Sequence, residues 1–408
     1  MQRQIERYLF ITLVTCLAIL TGCGEVGGPL RSAPGPDEDA QTTETIAEHL
    51  ERPGVLRQVW GDVDGQDVHL YTLANSTGTI CKVTNWGAIL TELHVRDRLG
   101  NLADVVLGFG SLASYLGRDG QTNSNPGYMG CTIGRYCNRI RDGRFELEST
   151  TYQLQRNNDS SHLHGGTRGW DKQVWAGETL ERADGPAVRF TLISPDGDEN
   201  YPGEVRAEVV YILTEDDSLR IEFTATTDKP TPLSMTNHTY FNLAGEGSGS
   251  ISDHELELKS TEHVVCDRQG IPTGKIAPVE GTPWDFTSPL PVGQRLDELT
   301  GDPGGYEINY VLRAEKIPEP QLAGTLYDVA SGRLLELLTT EVGLVFYSGN
   351  YLDGSLIGKS CQPYHKHSGL CLEPQFHPDS PNRPEFPSCI LQPDEQYRQV
   401  TIYRFDLR

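Results

Sequence analysis

From Val55 onward, apolar residues recur at every second position more often than at the 3.6-residue spacing of a helix. Phe145 and Leu147, then Tyr152 and Leu154, alternate with polar neighbours; Val205, Ala207, Val209 and Tyr211 do the same, as do Leu219, Ile221 and Phe223, and Leu256 with Leu258. Successive side chains of a strand point to opposite faces, so these runs predict strands buried on one side. Turn signals separate them: Asp142-Gly143, Asp184-Gly185, Asp196-Gly197, Ala244-Gly245 and Asp353-Gly354. No long amphipathic helix, no repeat of fixed period and no break in composition interrupts the pattern. The prediction is an all-β chain: one large antiparallel β-sandwich domain over residues 56–408. Abundant turn formers (43 Gly and 25 Pro in 408 residues) favour the same reading.

The first 55 residues follow a different logic. Arg3 and Arg7 precede an apolar run from Tyr8 to Leu20, too short to span a bilayer as a helix but suited to the core of a secretory signal. Leu20-Thr21-Gly22-Cys23 comes next and resembles the lipobox of bacterial lipoproteins. That resemblance implies a signal peptide over 1–22 and a lipidated Cys23 holding the chain to a membrane face, with no spanning helix. Gly24, in place of Asp, implies the outer membrane of a bacterial envelope, facing the periplasm. Residues 23–55, with Ala33-Pro34-Gly35-Pro36 and Asp37-Glu38-Asp39, hold too little apolar surface to fold and read as a flexible tether.

Charge narrows the list of partners. With 34 Lys+Arg against 57 Asp+Glu the chain carries −23, which excludes a phosphate-neutralising face and with it nucleic acid as a partner. A small neutral ligand suits this acidic surface. Seven Cys follow Cys23 (81, 131, 137, 266, 361, 371, 389), at no zinc-site spacing. In an exported protein Cys131/Cys137 and Cys361/Cys371 are the disulfides to look for; buried apolar thiols are the alternative.

Four segments carry chemistry beyond scaffold. In Ile133-Gly134-Arg135-Tyr136-Cys137-Asn138-Arg139-Ile140, strand alternation would put Arg135 and Arg139 on one face, where they need structural carboxylates or the oxygens of a ligand. In Ser161-His162-Leu163-His164-Gly165-Gly166 the histidines are a metal half-site without a third ligand, hydrogen-bonding imidazoles beside a ligand, or satisfied core residues. The glycine pair lets the backbone approach something closely. Extended, Thr236-Asn237-His238-Thr239-Tyr240 places Thr236, His238 and Tyr240 on one face, and His238 suits proton transfer near neutral pH unless it is a bonded core residue. In Leu370-Cys371-Leu372-Glu373-Pro374, Glu373 ends an apolar run, and Pro374 holds it extended and interrupts the ladder. Desolvation there would raise its pKa and make it a better base; a buried salt bridge, with Arg139 for instance, is the alternative.

Together these segments resemble the aldose 1-epimerase (galactose mutarotase) family. Gly134-Arg135 with Asn138-Arg139-Ile140, His162-Leu163-His164-Gly165-Gly166, Trp170-Asp171-Lys172, Tyr201-Pro202-Gly203, Thr236 to Leu243, Ile271-Pro272-Thr273-Gly274, Leu352-Asp353-Gly354, Leu372-Glu373 and Asn382-Arg383-Pro384 stand in the family's order, from about Val55 to the C-terminus. The resemblance implies a single-domain supersandwich and the interconversion of α and β anomers of a free aldohexose, galactose or glucose, with neither cofactor nor metal. In that implied scheme His238 protonates the ring oxygen, Glu373 takes the proton of the C1 hydroxyl, and Asn138, Arg139, His164 and Tyr240 hold the sugar. Two positions depart from the family pattern: Glu307 stands where Asp is usual, and Val345 where Gln is usual. Two other functions compete: a sugar-binding lipoprotein on the same fold without catalysis, and a glycoside hydrolase, which would need two facing carboxylates such as Glu307 and Glu373.

Overall fold

In the computed structural model the chain is described over residues 53–117 and 125–408. The predicted signal peptide, Cys23 and almost all of the tether lie outside the described residues. The tether's last positions do not belong to it: Gly54 and Val55 already open the strand Gly54–Val63. Among the described residues no helix is long and apolar enough to cross a membrane.

The alternating runs form antiparallel strands, and three sheets carry the architecture. The first has five strands in chain order between Gly54 and Asp104. The second has nine, ordered Ala176–Leu180, Ala187–Ser194, Val205–Leu213, Ser218–Thr227, Tyr397–Leu407, Arg333–Thr339, Gln321–Tyr327, Glu255–Leu258 and Leu290–Pro291. The C-terminal strand Tyr397–Leu407 is therefore central, paired with Ser218–Thr227 on one side and Arg333–Thr339 on the other. Long-range pairing of this kind brings residues distant in sequence onto one surface.

The third sheet builds the site. Its six strands run in the order Tyr240–Phe241, Leu370–Gln375, Gly343–Tyr347, Glu307–Val311, Glu262–Cys266 and Pro272–Pro278. The period of two divides each strand cleanly. Ile308, Tyr310, Leu344, Phe346, Leu370 and Leu372 join the main core, which also takes in the inward residues of the other two sheets. Their alternates Val345, Tyr347, Cys371 and Tyr240 face the other way, into a second apolar cluster. Burying a Leu or Phe side chain is worth roughly 1.5–3 kcal/mol, so the inward set holds each strand in register. The face of Glu373 follows from that register, because it shares the parity of Cys371.

Two expectations change here. The ladder continues through Pro374, which pairs with Leu344; only the short partner Tyr240–Phe241 has ended, at Cys371. None of the seven described cysteines forms a disulfide, and five of them are buried. Those five act as small apolar core residues.

Candidate active site

The segment 132–140 is not one continuous strand. Thr132–Ile133 pairs with Thr236–Asn237 and Arg139–Ile140 with His162–Leu163, while Asn138 between them takes a left-handed backbone, φ 65°. Arg135 and Arg139 consequently part company, against the alternation expected for a strand. Arg135 is buried and donates to the Ser194 hydroxyl (2.9 Å) and to the carbonyls of Ser194, Pro195 and Pro202 at 2.7 to 2.9 Å. Arg139 faces a cavity, ion-paired with Glu307 at 2.5 Å and donating to Asn158 at 3.3 Å.

The two histidines divide in the same way. His162 donates from Nδ1 to the Gln155 carbonyl (2.7 Å) and accepts at Nε2 from the Tyr201 hydroxyl (2.8 Å), so both ring nitrogens are spent on scaffold. His164 accepts at Nδ1 from the Asn138 backbone N–H at 3.2 Å. The proton of its neutral ring is then on Nε2. Burial, with the nearby charges of His238, Arg139 and Lys172, holds His164 well below the usual imidazole range. What the glycine pair approaches is the chain itself: a Cβ on Gly165 would lie 1.9 Å from the Gly134 carbonyl oxygen. That close contact seats His164 beside Asn138.

His238 is held from behind by its backbone, which donates to Cys131 and accepts from Gly130, both at 2.8 Å. Its ring stacks on Tyr240, with centroids 5.2 Å apart, meets His164 edge-on at 5.3 Å, and lies near Tyr128 at 6.0 Å. Cys371 Sγ stands 3.5 Å from Nδ1, and Glu373 Oε2 stands 3.7 Å from Nε2. Burial pushes the His238 imidazole down to about 4. Burial, then the negative charge of Glu307, pushes the Glu373 carboxyl up to about 8, as its place in an apolar strand predicts. Glu373 Oε2 is buried and, among the described residues, has no hydrogen-bond partner. A buried polar atom left unbonded costs about 1–3 kcal/mol, so its place in a cavity marks it as reserved for something that binds there. The salt bridge considered for Glu373 is made instead by Glu307.

The cavity, about 530 Å³, lies within the range of small-molecule sites. Asn138, Arg139, His164, His238, Tyr240, Glu307 and Glu373 all line it, converging from segments more than two hundred residues apart. Thr236, expected on the same face, is buried away from it. Val345 lines it next to Glu373, its direct partner across the ladder. The structure adds residues that periodicity does not single out. Tyr128 follows the turn Pro126-Gly127, packs on His164 at 4.7 Å and lies under the Lys172 ammonium at 5.1 Å. Tyr351 donates its backbone N–H to the Tyr347 hydroxyl at 2.9 Å. The turn signal before Tyr128 was the one clue available for it in sequence.

Chemically, the cavity offers neighbouring proton-transfer groups with opposite pKa displacements, ringed by hydroxyl-reading donors and acceptors. Comparison with known proteins agrees. Residues 69–404 match the aldose 1-epimerase family. The galactose mutarotase of Rattus norvegicus is 40% identical over 355 residues, covering 86% of this chain and 99% of that protein. The aldose 1-epimerase of Escherichia coli K12 is 36% identical, covering 84% and 96%. Among solved structures, an aldose epimerase homologue from C. elegans superposes with a TM-score of 0.73 at 30% identity, covering 82% of this chain and 98% of that one. A galactose 1-epimerase from Lactobacillus acidophilus gives 0.73 at 26%, covering 87% and 99%.

Proposed function

The chain belongs to the aldose 1-epimerase family, and from that premise we propose how it interconverts the α and β anomers of an aldose, galactose or glucose. The observation that carries the reading is the 3.7 Å approach of His238 Nε2 to Glu373 Oε2. Ring oxygen and anomeric hydroxyl are bonded to the same carbon, so a general acid and a general base acting on both must stand side by side. In this scheme protonated His238 gives its Nε2 proton to the ring oxygen as Glu373 takes the proton of the C1 hydroxyl. The electron pair of the O–H bond becomes the second C1–O1 bond, and the pair of the C1–O5 bond stays on the ring oxygen. The open-chain aldehyde turns about C1–C2, and closure on the other face returns both protons.

Proton counting supports the assignment. Between about 4 and about 8 the pair holds one proton, which burial places on Glu373 while the site is empty. Moving that proton to His238 produces the reactive acid and base with no change in total charge. Each positioned transfer contributes roughly 10²–10⁴-fold. Arg139, ion-paired to Glu307, together with Asn138, His164 and Tyr240, supplies donors and acceptors for the hydroxyls. The same ion pair weakens the glycoside-hydrolase alternative, since it commits the second carboxylate.

Polarimetry on freshly dissolved α-galactose and α-glucose tests the reading. Decay of rotation faster than in buffer, to the same final value, is expected. Decay at the buffer rate on both sugars, from folded protein, would leave a binding protein on this fold.

For the N-terminus, we propose from its sequence that Cys23 is lipidated and anchors the enzyme in the outer membrane, facing the periplasm. Incorporation of labelled palmitate that Cys23→Ser abolishes is the expected result.

A further inference from the structure

Cys371 stands on the strand that carries Glu373, two residues before it and on the same face, and Tyr240 is its direct partner across the ladder. The His238 imidazole touches both side chains, one at each ring nitrogen: Cys371 Sγ lies 3.5 Å from Nδ1 and Glu373 Oε2 lies 3.7 Å from Nε2. The two nitrogens therefore meet different surroundings. Nε2 meets a carboxyl that lines the cavity. Nδ1 meets a sulfur that is buried and stands outside the cavity lining.

A neutral imidazole carries one proton, and the bond made at one nitrogen decides what the other can do. Behind Nδ1 stand acceptors. One is the Cys371 sulfur; another is the backbone carbonyl of His238 itself, which takes a hydrogen bond from the ring. Nδ1 is the nitrogen close enough to the backbone to give it. A proton kept on Nδ1 leaves Nε2 a bare lone pair facing Glu373.

The consequence for the reaction rests on the epimerase reading above. There the proton that burial places on Glu373 in the empty site must pass to Nε2, and Nε2 can receive it only if it is bare. A ring already protonated at Nε2 would first have to shed that proton and take one up at Nδ1, inside a closed pocket. The kind of partner matters as well. Burial, then the nearby Glu373, holds the Cys371 thiol well above the usual thiol range, so the sulfur is neutral. A carboxylate at this place would stabilise the imidazolium and weaken it as an acid. A neutral, weakly accepting sulfur orients the ring and leaves the acid strong.

We propose that Cys371 is a positioning residue for the reaction: its sulfur accepts from Nδ1–H of His238, fixes that tautomer, and reserves Nε2 for the proton exchanged with Glu373 and the sugar.

The test joins a spectrum to kinetics. Ring-nitrogen NMR of protein labelled with 15N-histidine, at about pH 6 where His238 is neutral, reads the tautomer directly, the His238 signals being those missing from His238→Asn. The wild type should carry its proton on Nδ1. Cys371→Ala, which removes a single heavy atom, should move part of that proton to Nε2 and lower kcat about tenfold, with KM for galactose within about twofold. Cys371→Ser, which keeps an acceptor at the position, should restore the tautomer and bring kcat to within about threefold of the wild type. Should either variant fold poorly, the wild-type spectrum still decides. A wild-type ring protonated at Nε2, an alanine variant with full kcat, or a serine variant no better than alanine overturns the proposal and leaves the epimerase reading standing. Folded wild type inactive on galactose and glucose overturns that reading, and the role of Cys371 with it.

Discussion

Arg135 and Arg139 stand four residues apart and live in different chemical worlds. Arg135, 2% exposed, spreads its guanidinium over one hydroxyl and three backbone carbonyls, all fixed by the loop that follows Ala187–Ser194. Arg139 has a carboxylate and an amide for partners, and both line the cavity with it. His162 and His164 repeat the contrast two residues apart, the first bonded at both ring nitrogens and the second at Nδ1 alone. Residue type and burial fail to separate scaffold from site here, since all four side chains are largely buried. Donor and acceptor inventory does separate them. Scaffold residues have spent their hydrogen-bonding capacity on the chain, and site residues retain some. Glu373, whose Oε2 has no hydrogen bond among the described residues, is the far end of that scale.

The contrast is open to direct attack. The largest effect should fall on the least satisfied groups: His238→Asn and Glu373→Gln each lower kcat by roughly 10²–10⁴-fold, with far-ultraviolet circular dichroism unchanged. A fully active variant at either position would sink the assignment. Next come the arginines, whose losses should appear in different assays. Arg135→Met strands three backbone carbonyls and should cost about 3 kcal/mol of stability, read by thermal or urea unfolding, with activity per folded molecule retained. Arg139→Gln should leave the unfolding transition near that of the wild type and raise KM about tenfold. Reversed outcomes would show that partner counts do not distinguish scaffold from site.

The pH profile comes third. Below about 4 both members of the proposed catalytic pair are protonated and the base is lost; above about 8 neither is, and the acid is lost. kcat/KM should therefore hold level between those limits and fall on either side, as a property of the pair. A fall centred near 6.5 would mean that His238 titrates as an ordinary imidazole. The smallest effect is assigned to Val345, which gives no hydrogen bond to the sugar. Val345→Gln, which sets an amide beside Glu373, should raise kcat/KM for galactose by about threefold, the worth of one modest hydrogen bond. An unchanged kcat/KM would show that the side chain at 345 does not reach a hydroxyl.

Much of this was written into the local pattern. Period two predicts the sheets, because Leu344, Phe346, Leu370 and Leu372 are buried in one core while their alternates face the other way. The raised pKa of Glu373 follows from a carboxylate in an apolar strand, and His238 beside Tyr240 from a polar row. What local pattern does not carry is the route of the chain between short strands. The turn at Asn138 sends Arg135 and Arg139 apart, and the partner of Arg139 lies 168 residues away. Tyr128, Tyr351 and Arg268 sit outside any strand, where no periodicity marks them. The cysteine pairs suggested by spacing are unpaired because burial already gives most of those thiols a place as apolar side chains.

The alternation in Leu370–Gln375 also bears on how such a protein can change over time. Core and chemistry are written on the same strand at odd and even positions, so deleting or inserting one residue there would turn Glu373 into the core and Leu372 toward the sugar. Substitution is open to this sheet, and change of length is closed. Diversity in what the enzyme accepts must then accumulate in the connecting segments around 125–128, 267–270 and 299–305, which border the cavity and can lengthen or shorten while the catalytic register stays as it is.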